Sequence, residues 1–308
     1  MVADFHNKEE YYNMCLAVEE MAGNYKKLYQ SREYRNGMRL AEYGKLIKKM
    51  KLLSAAKRLF RRSGNLDQFI DCADFELECN CQDYFSDKRI VVYTAIFGKY
   101  DALNEPMVKP DNVDYYIFTD CDIPDGSRWI KMDPNKFLPD SSMTNTEKNR
   151  FFKMLPHKIF PEYDYSVYID GNVLVVSDVT PLTKTLERFP IAMFQHKNRN
   201  CVYQEAEACI IKKKDSKESL EKHIELLKSH NVPEHNGLLE ATVICRKHSD
   251  PRCVSLMESW WDEFMNYSKR DQISLIDCLW QAKILPSEVG VLGNNLFNCN
   301  KFIILKHE

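Results

Sequence analysis

The 308 residues are 44% hydrophobic and 12% aromatic, enough for one large buried core plus an appendage. A formal net charge of −2 excludes a global electrostatic pull toward nucleic acid, so charge recognition has to come from local clusters. The eleven cysteines are scattered, no apolar run reaches membrane-span length, and Met1 to His6 lacks a signal peptide's apolar core. A cytoplasmic protein with free thiols is therefore the expectation. The tightest thiol group, Cys72, Cys79 and Cys81, fits no common zinc spacing.

Residues 1–85 read as a helical N-terminal extension, and 86–308 as the main domain. Tyr11, Met14, Val18, Met21, Tyr25 and Leu28 alternate spacings of three and four. That heptad seam wants another helix, either from the main domain or from a second copy in a homodimer through 11–28. Gly23 weakens it as a free-standing helix. The segment 45–62, KLIKKMKLLSAAKRLFRR, carries eight Lys and Arg with no acid. Leu46, Met50, Leu53, Ala56 and Phe60 share one helical face. Such a helix can lie on the inner face of an anionic membrane, each cation near the surface adding about 1 kcal/mol, or pack on the domain with solvated lysines. An acidic stretch, Asp67 to Glu78, follows as linker or short helix.

From Lys88 the pattern alternates between strand and helix. Arg89–Phe97 and Val113–Thr119 read as strands, Thr144–Phe160 as a helix limited by Pro156, and Tyr165–Ile169 and Val173–Val176 as strands. Pro190–Phe194 and Leu238–Cys245 read as strands, and Ser216–Ser229, Asp250–Asn266 and Gln272–Gln281 as helices. Alternation of this kind predicts an α/β sheet with ligands at the strands' carboxyl ends.

Asp170-Gly171-Asn172 stands at such an end. On extended chain positions i and i+2 face the same side, so Asp170 and Asn172 can share one cation, and Gly171 admits a bulky ligand. Two hard oxygen donors favour Mg²⁺ or Mn²⁺ over zinc. The plain alternative is an Asp-Gly turn that only ends a strand. Arg150, Lys153 and His157 fall on one helical face, fit for a diphosphate, an acidic acceptor or solvent. His196, Arg199, Tyr203 and Glu205 make a polar loop after a strand, suited to a sugar. Glu240 interrupts an apolar strand and needs partners wherever it is buried. Asp271 can cap the helix that follows it or face an anion.

The ordered blocks VVYTAIFGKYD (Val91–Asp101), YYIFTD (Tyr115–Asp120), R-x-x-K-x-x-PH (Arg150–His157) and YIDGN (Tyr168–Asn172) are joined by three more. These are H-x-x-R-x-C-x-Y-x-E-A (His196–Ala206), GLLEATVICRKH (Gly237–His248) and RDQISL (Arg270–Leu275). The succession resembles the glycosyltransferase-like family of bacterial polysaccharide clusters and plant mucilage proteins, formerly a domain of unknown function. It covers residues 88–285 and leaves 1–85 aside. The resemblance implies a GT-A fold (Rossmann-like, for nucleotide-diphospho-sugars), a divalent cation, a UDP-type sugar donor and a glycan or lipid-linked acceptor.

It further implies that Thr94, Asp101 and Asp120 contact the nucleoside, and that Arg150, Lys153, His157, His196 and Arg199 line the donor site. Asp120 can equally cap the next turn. The order Asp-x-Asn, GLLEATVI, Asp-Gln is similar to that of retaining glycogenin-like and lipopolysaccharide galactosyltransferases. By that likeness Asp170 and Asn172 hold the metal, Glu240 lies in the sugar and acceptor pocket, and Asp271 with Gln272 lies beside the anomeric carbon. A C-terminal His often completes such a metal shell, for which His307 is the candidate. The chain departs from the pattern at Asn172, which replaces a carboxylate, and at Lys197. Retention is the stereochemistry favoured, although Glu240 or Asp271 could serve an inverting enzyme as base. A nucleotidyltransferase on the same sheet, or a catalytically weak sugar-nucleotide scaffold tethered to a membrane or partner, are the competing readings.

Overall fold

The computed structural model describes residues 8–34, 36, 88–187, 189–293 and 295–307. The basic segment 45–62, the acidic stretch 67–78 and the cysteines at 72, 79 and 81 lie outside the described residues. In chain order the described part contains α1 (Lys8–Gln30), β1 (Ile90–Ile96), β2 (Val113–Thr119), β3 (Ile130–Met132) and α2 (Asn145–Met154). Then come β4 (Tyr165–Ile169), β5 (Val173–Val175), β6 (Ile191–Gln195), α3 (Val202–Ile211) and α4 (Lys217–Ser229). The chain continues through β7 (Leu239–Arg246), α5 (Pro251–Asn266), α6 (Asp271–Gln281), β8 (Gly290–Gly293) and β9 (Phe302–Ile304).

Seven strands form one sheet in the order β3-β2-β1-β4-β7-β6-β8. β7 runs antiparallel to both its neighbours, and every other pairing is parallel. This is the α/β class the alternation predicts. β1 is buried along its whole length, as expected of a central parallel strand covered on both faces. Its side chains divide by alternation: Val91, Tyr93 and Ala95 join the larger core, Ile90, Val92 and Ile96 the smaller. The larger core takes in Phe152, Trp260, Ile273 and Leu279 from the helices, and the smaller takes in Leu182, Leu186 and Phe302.

The chain leaves β1 toward β2 on one side and returns to β4 on the other. A crevice therefore opens between the carboxyl ends of β1 and β4, the topological switch point where open α/β sheets bind ligands. Because β7 is reversed, its first residues, not its last, reach the same rim.

α1 docks through the face bearing Cys15 and Ala22, both buried, and leaves Met21, Tyr25 and Leu28 exposed. The heptad seam is thus split: Tyr11, Met14 and Val18 are half-buried, with the Tyr11 hydroxyl buried near Asp178, while its C-terminal half faces away from the domain. Docking is specified by small and polar side chains spaced three and four apart, which a search for large apolar residues passes over. No helix among the described residues is long and apolar enough to cross a membrane.

Candidate active site

A cleft of about 730 Å³ occupies the switch point. Its floor comes from the end of β1 (Ala95 to Gly98), the turn after β4 (Asp170, Gly171) and the start of β7 (Glu240, Ala241, Thr242). One wall is α2, whose N-terminus is fixed by a capping box: Thr144 Oγ1 accepts from the Glu147 N–H, and the Glu147 carboxylate accepts from the Thr144 N–H. At its other end Arg246, fully buried, donates to the Lys153 carbonyl at 2.6 Å. Pro156 follows in a short 3₁₀ turn, so the helix predicted to run to 160 stops at Met154.

Arg150 and Lys153 project from α2 into the cleft, one turn apart. Lys153, 1% exposed, places Nζ 2.7 Å from Asp271 Oδ2 and 3.3 Å from Asp170 Oδ1. Arg150 Nε lies 3.0 Å from Asp271 Oδ2. Burial pushes the Asp271 carboxyl up, but Arg150, Lys153 and Arg270 overcome it and hold the group well below the usual carboxylate range. Asp271 does not cap α6. Arg270 holds the N-cap position without a side-chain cap bond, and the Asp271 carboxylate is spent on the two cations.

Glu240 is set by an irregularity in the ladder. Met193 pairs with Ile244 and Phe194 with Glu240, so three residues of β7 bulge away from β6 at the rim. Thr242 Oγ1 donates to Glu240 Oε1 at 2.8 Å, and Gln272 Nε2 approaches the same oxygen at 3.3 Å. Burial raises the Glu240 pKa to about 7 against the Thr242 hydrogen bond, with Asp170 adding to the rise. A carboxyl that changes protonation near neutrality can take or give a proton there.

The Asp-Gly-Asn segment is a turn, closed by the Val173 N–H donating to the Asp170 carbonyl at 3.0 Å. The same-side argument from extended chain therefore does not apply. Asp170 faces the cleft and accepts from Tyr168 Oη at 3.0 Å through Oδ1. Asn172 instead grips the C-terminal tail: its Nδ2 donates to the Leu305 carbonyl at 3.0 Å, and its own carbonyl accepts from the Leu305 N–H at 2.8 Å. The tail carries His307 to the cleft mouth. There Nδ1 sits 2.7 Å from Asp101 Oδ1, and the imidazole packs 5.0 Å from the Tyr100 ring.

Asp170 and His307 border the cleft with donors that suit a divalent cation; Asn172, bonded to the tail, does not border it. Among the described residues, Asp170 Oδ2, Asn172 Oδ1 and His307 Nε2 take no protein hydrogen bond. A carboxylate on the far nitrogen of a histidine is the usual support for a metal-binding imidazole. The set is lean, since no group of three His, Cys, Asp or Glu with metal-binding geometry occurs among the described residues. An amide oxygen and the ligand's own oxygens would have to complete the shell.

Of the residues singled out from the sequence, Asp101, Arg150, Lys153 and Asp170 line this cleft. So do Glu240, Asp271, Gln272 and His307. The others lie elsewhere: Asn172 is buried beside the tail and does not border the cleft. Thr94 is buried on the smaller-core face of β1, with Oγ1 unpartnered. Asp120 receives the Gly98 N–H on both oxygens, at 3.1 and 3.0 Å, so it shapes the loop after β1 and borders an adjoining hollow of about 560 Å³. His157 bonds Glu258 at 2.9 Å. Arg199 forms a buried ion pair with Glu205, Nε to Oε2 at 2.6 Å, beside His196, whose pKa burial lowers to about 4. That polar block is an internal clasp opening α3, where the sequence predicts a loop. The sequence does not single out Tyr100 and Arg270, which line the cleft, or the buried Tyr168, which bonds Asp170. Alternation along β4 puts Tyr168 on the face of Asp170, a signal the sequence does contain.

The model of the TOD1/MUCI70, glycosyltransferase-like domain matches residues 138–302. The probable hexosyltransferase MUCI70 of Arabidopsis thaliana is 26% identical over 213 residues, 60% of this chain and 36% of that protein. The chain thus spans about a third of this relative's length. Among solved structures, the apo bifunctional glycosyltransferase WbbM superposes with a TM-score of 0.43 at 13% identity, covering 64% of this chain and 38% of that one. Galactosyltransferase LgtC, in complex with donor and acceptor sugar analogs, gives 0.35 at 13% identity, over 66% and 72% of the two chains.

Proposed function

Since the chain belongs to the TOD1/MUCI70 glycosyltransferase-like family, we propose that it transfers a hexosyl group from a nucleoside diphosphate, with UDP the expected nucleotide, to a glycan or lipid-linked acceptor. The observation that carries the reading is the cation pair of α2. Lys153, buried, and Arg150, half-buried, pair with Asp271 at the rim where Asp170 stands. Fixed positive charge in a half-closed cleft stabilises charge developing on a departing diphosphate, and removing one such donor costs other enzymes about 10²–10³ in turnover.

Asp170 and His307 would hold a Mn²⁺ or Mg²⁺, with Asn172 the further candidate through its amide oxygen. That cation supplies Lewis-acid neutralisation of the leaving phosphates. Tyr100, 62% exposed at the mouth, offers a flat ring to a base or sugar. Glu240 and Gln272 line the same cleft side by side, and in this reading they are the polar pair that meets the transferred sugar. Retention of configuration forms part of the reading and rests on the Asp-Gln order alone.

The test is incubation of the full chain with a panel of sugar nucleotides and Mn²⁺. Release of UDP, abolished by Asp170→Ala, supports transfer. Pyrophosphate release would show a nucleotidyltransferase instead. Nucleotide binding without turnover on any glycan extract would leave a binding scaffold.

A further inference from the structure

The sharpest polar contacts of α1 reach neither the main sheet nor the cleft. Glu19 accepts from Lys301 Nζ at 2.7 Å and from Ser177 Oγ at 2.6 Å. Lys26 donates to the Cys299 carbonyl. Gly23, between them, faces the same turn, and a Cβ there would stand 3.0 Å from Asn300 Nδ2. Glu19, Gly23 and Lys26 recur at helical spacing, so one face of α1 grips residues 299–301. The glycine that weakens the helix is what lets the turn approach.

Residues 299–301 launch β9. That strand is three residues long and pairs with β5 alone, a ladder too short to be stable by itself. Phe302 is anchored in the smaller core against Phe194, with ring centroids 6.4 Å apart. Beyond it, the chain meets Asn172 through both Leu305 hydrogen bonds and ends at Asp101 through His307. One unbroken set of contacts thus joins the N-terminal helix to the mouth. Lys301 is 5% exposed, so Glu19→Gln removes a charged contact from a buried amine.

We propose that Glu19 is a positioning residue of the active site: through Lys301 it fixes the path of residues 303–307 and so the place of His307. No atom of α1 borders the cleft. The helix acts on nucleotide and cation binding by holding the tail in register. This deepens the reading of the cleft given above and depends on it only for the binding part of the test.

The experiment compares full-length wild type, Glu19→Gln, His307→Ala and the double variant. Hydrogen exchange of the C-terminal peptide is measured first, with no ligand present. Glu19→Gln is expected to speed exchange across residues 303–307 by about tenfold while exchange in β1 and β4 is unchanged. Binding of UDP with Mn²⁺ is then measured by calorimetry. Glu19→Gln and His307→Ala each weaken it by about five- to tenfold, and the double variant is no weaker than His307→Ala alone, the signature of coupled sites. Unaltered exchange in the tail overturns the proposal, as does a double variant in which the losses multiply. Glu19→Asp, which keeps the charge, restores most of the protection and the binding; equal losses in Glu19→Asp and Glu19→Gln would count against it. If wild type binds no UDP at all, the reading of the cleft fails, and the exchange data decide the positioning claim separately.

Discussion

Replacing Lys153 by Met tests the electrostatic centre of the cleft. The substitution preserves the length and much of the volume of the side chain, so it deletes a charge without opening a large void. Wild-type Nζ serves two carboxylates, Asp271 at 2.7 Å and Asp170 at 3.3 Å, from a position with 1% exposure. Breaking a buried ion pair from one side costs about 3–5 kcal/mol, because the partner is left charged and dry. Here Arg150 stays within 3.0 Å of Asp271, which places the expected loss at the lower end, about 3 kcal/mol. For a domain of this size that lowers Tm by roughly 6–12 °C. Charging of Asp271 is the penalty, so the deficit shrinks as pH falls toward the carboxylate's own titration range. Sugar transfer should drop by about 10²–10³-fold. Thermal unfolding at several pH values, alongside UDP release, reads both effects. A Lys153→Met protein with unchanged Tm and turnover would refute the argument that this amine neutralises the cleft.

Glu240→Gln should cut transfer by about 10²–10⁴-fold and remove any inflection near pH 7 from the rate profile, measured as kcat against pH. Its folded pKa, about 7, lies above the ordinary 4.5. The stability Glu240 contributes is therefore present below pH 4.5 and lost as pH rises through 7. The Gln variant should match wild type in acid and exceed it above neutrality, as unfolding midpoints across that window would show. Asp250→Ala removes the N-cap of α5, where the carboxylate accepts the Arg252 N–H at 3.0 Å; it should cost about 1 kcal/mol with transfer unchanged, both read by denaturant titration and assay. Gly98→Ala forces a Cβ to 2.2 Å from Asn145 Nδ2 at a φ of +67°; UDP affinity should fall several-fold, with the larger share of the defect in KM.

Much of the fold was readable because the strands are apolar, short and sharply bounded. β2 and β4 run over the residues their composition delimits, and Thr144 with Glu147 announces the start of α2. The strands that sequence does not show carry no periodic signal: β3 and β9 have three residues each, β8 has four, and their pairing is decided by partners far away in sequence; α3, ten residues long, hides behind its polar opening. The site was legible where a polar residue interrupts an apolar run, as at Asp170 and Glu240. It was misread where charges neutralise one another. Arg199 and Glu205 look like a binding loop until the fold shows them bonded together. His307 marks the opposite case: only the tail's course over Asn172 brings a residue next to the chain's last position into the cleft.

The slack in β7 carries a consequence for the substrates this fold can accept. Side chains alternate across a strand, so lengthening or shortening the slack by a single residue would exchange Glu240 for its apolar neighbour Leu239 at the cleft's edge. A change placed before Val243 would leave the pairing of Val243–Arg246 with β4 in place. An insertion of one codon could thus convert an acidic pocket wall into a greasy one while sparing the foundations, a short path by which relatives could come to handle different sugars.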